Sequence, residues 1–270
     1  MKNTKLGVVG CGTIGAEIAT AVSSEQIDGY ILAGLCDIDV VKAQRLSVLL
    51  DQAVEILDLD ELIAASEIIF EATNKAAMPT VARKALGAGK TVLVMSAGGL
   101  ADDPSIVDLA EEKGGLLCCP SGAICGVDGI LAAREAGLQR VRITSTKHPK
   151  SLRGAPFLVK HNVIVDGLSE PTTVFEGTAR EAIEAFPANA NVSITLSTAG
   201  LGIDRTEVRI VADPDCKRTK HEIVAEGDFG NIRTVTEGNV APGNPRTGYL
   251  AILSAKAALR KVNSRFRVGT

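Results

Sequence analysis

Lys5-Leu6-Gly7-Val8-Val9-Gly10-Cys11-Gly12-Thr13-Ile14-Gly15 decides how this chain is read. An apolar run of strand length ends in Gly10-Cys11-Gly12-Thr13-Ile14-Gly15. A segment of helical spacing follows, with Ile14, Ile18, Ala19 and Val22 on one face. In a G-x-G-x-x-G turn between a strand and a helix, each glycine has its own steric task. Gly10 permits the tight turn, Gly12 lets a pyrophosphate approach the backbone, and Gly15 lets the helix pack close to the strand. Thr13 and Ile14 open a helix whose N-terminal N–H groups and partial positive charge attract phosphate. The second strand, residues 31–36, runs into Asp37. A carboxylate there can accept hydrogen bonds from both hydroxyls of an adenosine ribose, and it repels a 2′-phosphate. NAD is therefore the expected cofactor. NADP comes second, because Lys42 and Arg45 follow closely, and S-adenosylmethionine and FAD rank below both.

Outward from this turn, strand-like and helix-like segments alternate. Strands are expected at 67–71, 91–95 and 116–119, with helices over 13–23, 40–50, 58–65, 77–88 and 103–113. This rhythm predicts a doubly wound parallel sheet of Rossmann type with helices on both faces. The loop Ser96-Ala97-Gly98-Gly99 then stands at the carboxyl end of the sheet, where ligands bind in such folds, and Ser96 joins the candidate cofactor contacts. Beyond Pro120 the pattern changes to runs alternating with turn residues. Strands are expected at 141–146, 172–177, 192–198, 207–211, 221–227 and 232–237, with helices at 128–136 and 179–185. The expectation is an α/β chain in which a C-terminal α+β domain with a mixed sheet follows the Rossmann domain. Residues 1–120 form the dinucleotide-binding domain, and a C-terminal helix at 245–265 packs back on it after the turn Pro242-Gly243-Asn244-Pro245. Residues 121–244 form a substrate-binding, catalytic and dimerising domain, because mixed sheets of this kind often pair across a two-fold axis into a homodimer.

The bulk composition narrows the class. Aromatics make up 3% of the chain and Trp is absent, so the core must be built from Val, Ile, Leu and Ala, as buried parallel strands are. Lys+Arg 29 against Asp+Glu 32 gives −3, which offers no basic excess to attract nucleic acid. The apolar runs have strand length, far below a membrane span, and the glycines after Lys5 do not fit a secretory leader, so a cytoplasmic protein is expected. The six cysteines lack metal-ligand spacing and read as reduced thiols, with no metal expected.

Hydride transfer belongs to the cofactor, and the protein must manage a proton, most simply with a histidine. His148, His161 and His221 are equal candidates on the residues alone. A rival reading makes Cys125, in Ser121-Gly122-Ala123-Ile124-Cys125-Gly126, a nucleophile activated by a helix N-terminus. That would be an acylating aldehyde dehydrogenase. A third reading is a sensor that binds NAD without chemistry.

The chain resembles the L-aspartate dehydrogenases of the NAD-biosynthetic type nearly end to end. The glycine turn, Ser96-Ala97-Gly98-Gly99-Leu100 and Ser121-Gly122-Ala123-Ile124-Cys125-Gly126-Val127-Asp128 carry the first half of the likeness. Phe186-Pro187-Ala188-Asn189-Ala190-Asn191-Val192, Lys220-His221-Glu222-Ile223 and Asn244-Pro245-Arg246-Thr247-Gly248-Tyr249 carry the second. The resemblance implies interconversion of L-aspartate and iminoaspartate, or oxaloacetate with ammonia, with quinolinate synthase as a downstream enzyme. It implies that Ala123 and Asn189 contact the nicotinamide end of the cofactor, with Asn189 also near the substrate, and that His221 is the catalytic histidine. Lys147-His148 stands where the family has a basic pair before proline. Lys147, together with the N–H groups of the helix after Gly126, is the candidate for the substrate carboxylates.

Overall fold

In the computed structural model, which describes residues 3–187 and 190–269, the chain divides into two compact units. One comprises the residues up to Pro120 with Ile252–Arg267, and the other comprises Ser121–Ala251. The first holds a parallel sheet of order β2-β1-β3-β4-β5, made of β1 (Thr4–Val9), β2 (Tyr30–Cys36), β3 (Ile68–Glu71), β4 (Thr91–Val94) and β5 (Leu117–Cys118). Every residue of β3 and the last four of β1 are buried, so both faces of the sheet are covered and alternation is absent from these strands. The connecting helices are α1 (Thr13–Ser23), α2 (Val40–Val48), α3 (Leu59–Ala65), α4 (Met78–Gly87), α5 (Gly99–Asp102) and α6 (Ser105–Lys113). Helix α3 starts in a reciprocal cap, in which Asp58 accepts from the Glu61 N–H and Glu61 accepts from the Asp58 N–H. The short helix α5 occupies residues that read as loop, because its four residues carry no periodicity.

The second unit holds a mixed sheet of order β10-β9-β6-β8-β7. Its strands are β6 (Leu138–Lys147), β7 (Thr172–Thr178), β8 (Glu207–Ala212), β9 (Thr219–Gly227) and β10 (Gly230–Gly238). Strands β6 and β8 run parallel and the other pairs antiparallel. Val141, Ile143, Val208, Ile210, Ile223 and Ala225 line one face and join one core with α7 (Val127–Arg134), α8 (Pro156–Lys160), α9 (Ala179–Ala185) and α10 (Ala190–Ala199).

Two expectations are corrected. The stretch 192–198, expected as a strand, lies within helix α10. Its alternation of β-branched and hydroxyl residues mimics strand period, yet Ser193, Ile194, Thr195, Leu196 and Ser197 are all buried. A helix tolerates buried hydroxyls that bond back one turn, as Ser197 Oγ does to the Ser193 carbonyl at 2.6 Å. The expected turn at 242–245 and helix from 245 also shift. Only Pro242-Gly243 turn, between β11 (Val240–Ala241) and β12 (Asn244–Gly248), and the last helix, α11, runs over Tyr249–Asn263. Within the first unit, α11 is held by the Tyr30 hydroxyl donating to the Leu259 carbonyl at 2.6 Å and by Lys256 Nζ against Glu17 at 3.0 Å. Ala255 and Leu259 are buried with Leu6, Ile18 and Phe70.

Candidate functional site

Strand order reverses between β1 and β3, and the glycine turn leaves β1 at that switch point. A Cβ on Gly10 (φ +94°) would strike the Ala72 carbonyl at the end of β3, and one on Gly15 would strike the Gly10 carbonyl. At Gly12 nothing lies within 4 Å of the Cβ position. Two glycines are thus demanded by the fold, and the third keeps open the space a pyrophosphate would enter. Thr13 and Ile14 begin α1, whose first turn has neither a capping side chain nor an acidic residue.

A cleft of ≈ 860 Å³ follows from this turn, lined by Gly10, Gly12, Asp37, Ile38 and Asn74 among others. Asp37 is fixed by two backbone donors, Cys11 N–H to Oδ2 at 2.7 Å and Asp39 N–H to Oδ1 at 2.8 Å. The same carboxylate therefore ties the end of β2 to the phosphate turn and faces the cleft. Lys42 lines this cleft too, with Nζ 3.7 Å from Asp39, while Arg45 is exposed. The volume, the open backbone at Gly12 and the carboxylate at Asp37 fit an adenine dinucleotide.

Glu71 is a residue that sequence reasoning missed. It ends β3 fully buried and accepts the Thr73 N–H at 2.7 Å, the Thr73 hydroxyl at 2.6 Å and the Ser96 N–H at 3.1 Å. One buried carboxylate thereby organises the loops after both β3 and β4, including the expected contact Ser96. An acidic residue closing an otherwise apolar run was the available signal.

The second unit gathers a different set of residues. Antiparallel pairing of β6 with β9 sets Ser145 opposite His221, on the face that also carries Ile143 and Ile223. Ser145 is 4% exposed and His221 6%, and Ser145 Oγ lies 2.9 Å from His221 Nδ1. Lys147 is two residues further along β6, on the same face. Burial first, and then the Lys147 charge, push the His221 pKa down to about 3, so the imidazole is neutral at pH 7. Burial lowers Lys147 to about 8 against the opposing pull of Cys216, whose own thiol is raised by burial.

On the other side of His221, Thr236 is its cross-strand partner in β10, and the Thr236 hydroxyl donates to the Ala123 carbonyl at 3.1 Å. Thr234 donates to the Cys125 carbonyl at 3.2 Å. Two threonines thus fasten the Ser121–Gly126 loop along the strand that flanks His221. Ala123, Lys147 and His221 fall in one neighbourhood, joined by Ser145 and Thr236, which the sequence did not single out. Asn189 lies outside the described residues. His161 is exposed with its ring against Phe157, and His148 uses Nδ1 to accept the Lys150 N–H. Cys125 is exposed.

A glycine-turn nucleotide cleft in one unit and a buried neutral histidine beside a lysine in the other define a nicotinamide-dependent dehydrogenase. Comparison with known proteins gives the family. Residues 128–262 match the model for the aspartate dehydrogenase C-terminal domain, and residues 10–119 match the homoserine dehydrogenase NAD-binding domain. L-aspartate dehydrogenase of Methanosarcina mazei is 42% identical over 270 residues, covering 98% of this chain and 99% of the relative. That of Bradyrhizobium diazoefficiens is 38% identical, covering 98% and 94%. The crystal structure of aspartate dehydrogenase from Thermotoga maritima shares the fold with a TM-score of 0.76 at 23% identity, covering 99% of this chain and all of that one. The chain belongs to the L-aspartate dehydrogenase family.

Proposed function

We propose that this protein oxidises L-aspartate at Cα to iminoaspartate with NAD or NADP, and that the imine is released to oxaloacetate and ammonia. The full-length relationship to L-aspartate dehydrogenases carries this reading. The aldehyde-dehydrogenase and sensor readings gain no support from these relatives. Cys125 contributes its carbonyl to the Thr234 contact and sits exposed.

When bound, the nicotinamide supplies the hydride acceptor, and Gly10, Gly12, Thr13, Ile14, Gly15, Asp37 and Ser96 hold the dinucleotide, with Ala123 and Asn189 at its nicotinamide end. The chain's own residues do the rest. Lys147 holds a substrate carboxylate, and Asn189 is the other candidate substrate contact. His221, neutral at pH 7, takes a proton from water as the water oxygen bonds the iminium carbon and the C=N electron pair moves onto nitrogen. Returning that proton to the carbinolamine nitrogen lets the C–N bond break, giving ammonia and, with loss of the hydroxyl proton, oxaloacetate. The proposal extends to a homodimer through the half-exposed face of the mixed sheet. There Arg140 and Arg142 pair with Glu207, and Arg233 with Glu222, in a charged array able to meet its copy across a two-fold axis. It also extends to a cytoplasmic role in which iminoaspartate that leaves before hydrolysis is the substrate of quinolinate synthase. Among the described residues, no helix is long and apolar enough to cross a membrane.

The test is NADH formation with L-aspartate at mildly alkaline pH beside a panel of amino and hydroxy acids. Turnover confined to L-aspartate is the expected result. Turnover with another amino acid, and none with aspartate, would overturn the substrate and keep the chemistry.

A further inference from the structure

His221 is held on one side only by a side chain. Among the described residues the hydrogen bond to its ring is the one between Nδ1 and Ser145 Oγ, 2.9 Å apart and inside the core. The bond is set by sheet register. Ser145 and His221 are directly paired, and Ile143↔Ile223 continues the ladder beside them, so the pairing keeps both side chains on one face within reach of each other. Thr236, the neighbour on the far strand, turns its hydroxyl proton to backbone carbonyls, that of Ala123 at 3.1 Å and that of His221 at 3.5 Å.

A neutral imidazole carries a proton on one nitrogen and a lone pair on the other, and a hydroxyl beside Nδ1 can serve either form, by accepting from the N–H or by donating to the lone pair. We infer that Ser145 is the positioning residue of the site: its Oγ accepts the Nδ1 proton of His221 and so keeps the lone pair on Nε2, the nitrogen left to accept a proton from water. This rests on the reading of His221 as the base. The choice of hydroxyl has a physical reason. A carboxylate in that position would orient the ring equally well but would bring a second charge into the core and raise the imidazole pKa. A hydroxyl orients without adding charge, and the neighbouring Lys147 opposes a second ring proton in the same sense. Sequence inspection passes over Ser145 because it reads as one more small residue in Thr144-Ser145-Thr146.

The experiment is 15N NMR of the full-length protein labelled at the histidine ring nitrogens. Only three histidines are present, and His148→Gln and His161→Gln assign the third. His221 should be protonated at Nδ1. In Ser145→Ala the proton should redistribute toward Nε2, and kcat should fall about 10- to 100-fold with KM for L-aspartate and Kd for NAD within about twofold. Ser145→Thr, which keeps the hydroxyl and suits a strand, should restore both the tautomer and most of kcat. An Nε2-protonated ring in the unsubstituted protein would overturn the inference. So would Ser145→Ala with an unchanged tautomer and unchanged kcat. If instead His221→Gln keeps normal turnover while the tautomer responds to Ser145, the reading of His221 as the base is what fails.

Discussion

The phosphate turn is built of backbone from six contiguous residues, Gly10 to Gly15, whereas the candidate catalytic face is built of side chains from strands far apart in sequence, Ser145 and His221 being separated by 76 residues. In the first, absence of side chains is the function, since glycines make room for a charged ligand and a helix terminus attracts it. In the second, burial is the function. It keeps His221 neutral and lowers Lys147 toward the working pH. The two regions should therefore fail differently, one through loss of binding and the other through loss of rate.

The largest expected effect is on the side-chain site. His221→Ala should lower kcat by about 10²- to 10⁴-fold, the range for removing a general base, while Kd for NAD stays within about twofold. Steady-state kinetics with NAD titrated separately by fluorescence would measure both. A variant that lost NAD binding in proportion to rate would break the division between the two regions.

Next comes the backbone site, where two neighbouring glycines should behave oppositely. Gly12→Val places a side chain in open space at a φ of −75°, so the melting temperature should hold while NAD affinity drops about 100-fold, the loss of about 2.7 kcal/mol of phosphate contact. Gly15→Val drives a side chain into the Gly10 carbonyl, and its loss should be of folding, by about 3 kcal/mol or more in urea denaturation. Equal effects of the two substitutions on stability would mean that Gly12 also serves the fold.

Glu71 sharpens the comparison, because it is a buried side chain inside the backbone-built region. Glu71→Ala leaves the Thr73 and Ser96 N–H groups without their acceptor and should cost about 2 kcal/mol of stability, with a smaller change in NAD affinity, by chemical denaturation with and without NAD.

The same contrast decides which parts of the molecule are legible in its sequence. The nucleotide turn is legible because its determinants are contiguous and their meaning is steric. The parallel sheet is legible from the alternation of short apolar runs and helical spacings. Helix α10 is not, since Val192 to Thr198 satisfy strand alternation locally, and the helix shows itself only in the fold, where Ser197 Oγ bonds back one turn to the Ser193 carbonyl. Ser145 and Thr236 are illegible for a further reason. Their role depends on register between strands, and a shift of one residue would point either to the opposite face. Asp37 lies between these cases. Its position is legible, but its two bonds to the Cys11 and Asp39 N–H groups, which make it part of the turn, emerge only from the fold.

The smallest expected effect concerns Lys147, and it carries two signs. Its folded pKa of about 8 lies below the unfolded value of 10.5, so between these the unfolded chain binds more protons. Stability contributed by this group therefore rises as pH climbs from about 8 to 10.5, by up to about 1.4 kcal/mol per pH unit before partial exposure weakens it. The same deprotonation removes the charge proposed to hold a substrate carboxylate, so KM for L-aspartate should rise about five- to tenfold between pH 7 and 9. Lys147→Arg keeps its charge throughout and should flatten the KM profile. Lys147→Met should flatten the stability profile and raise KM at every pH. If KM in the unsubstituted protein is flat across pH 8 while stability climbs, Lys147 is a buried cation of the fold, and the carboxylate contact belongs to another residue.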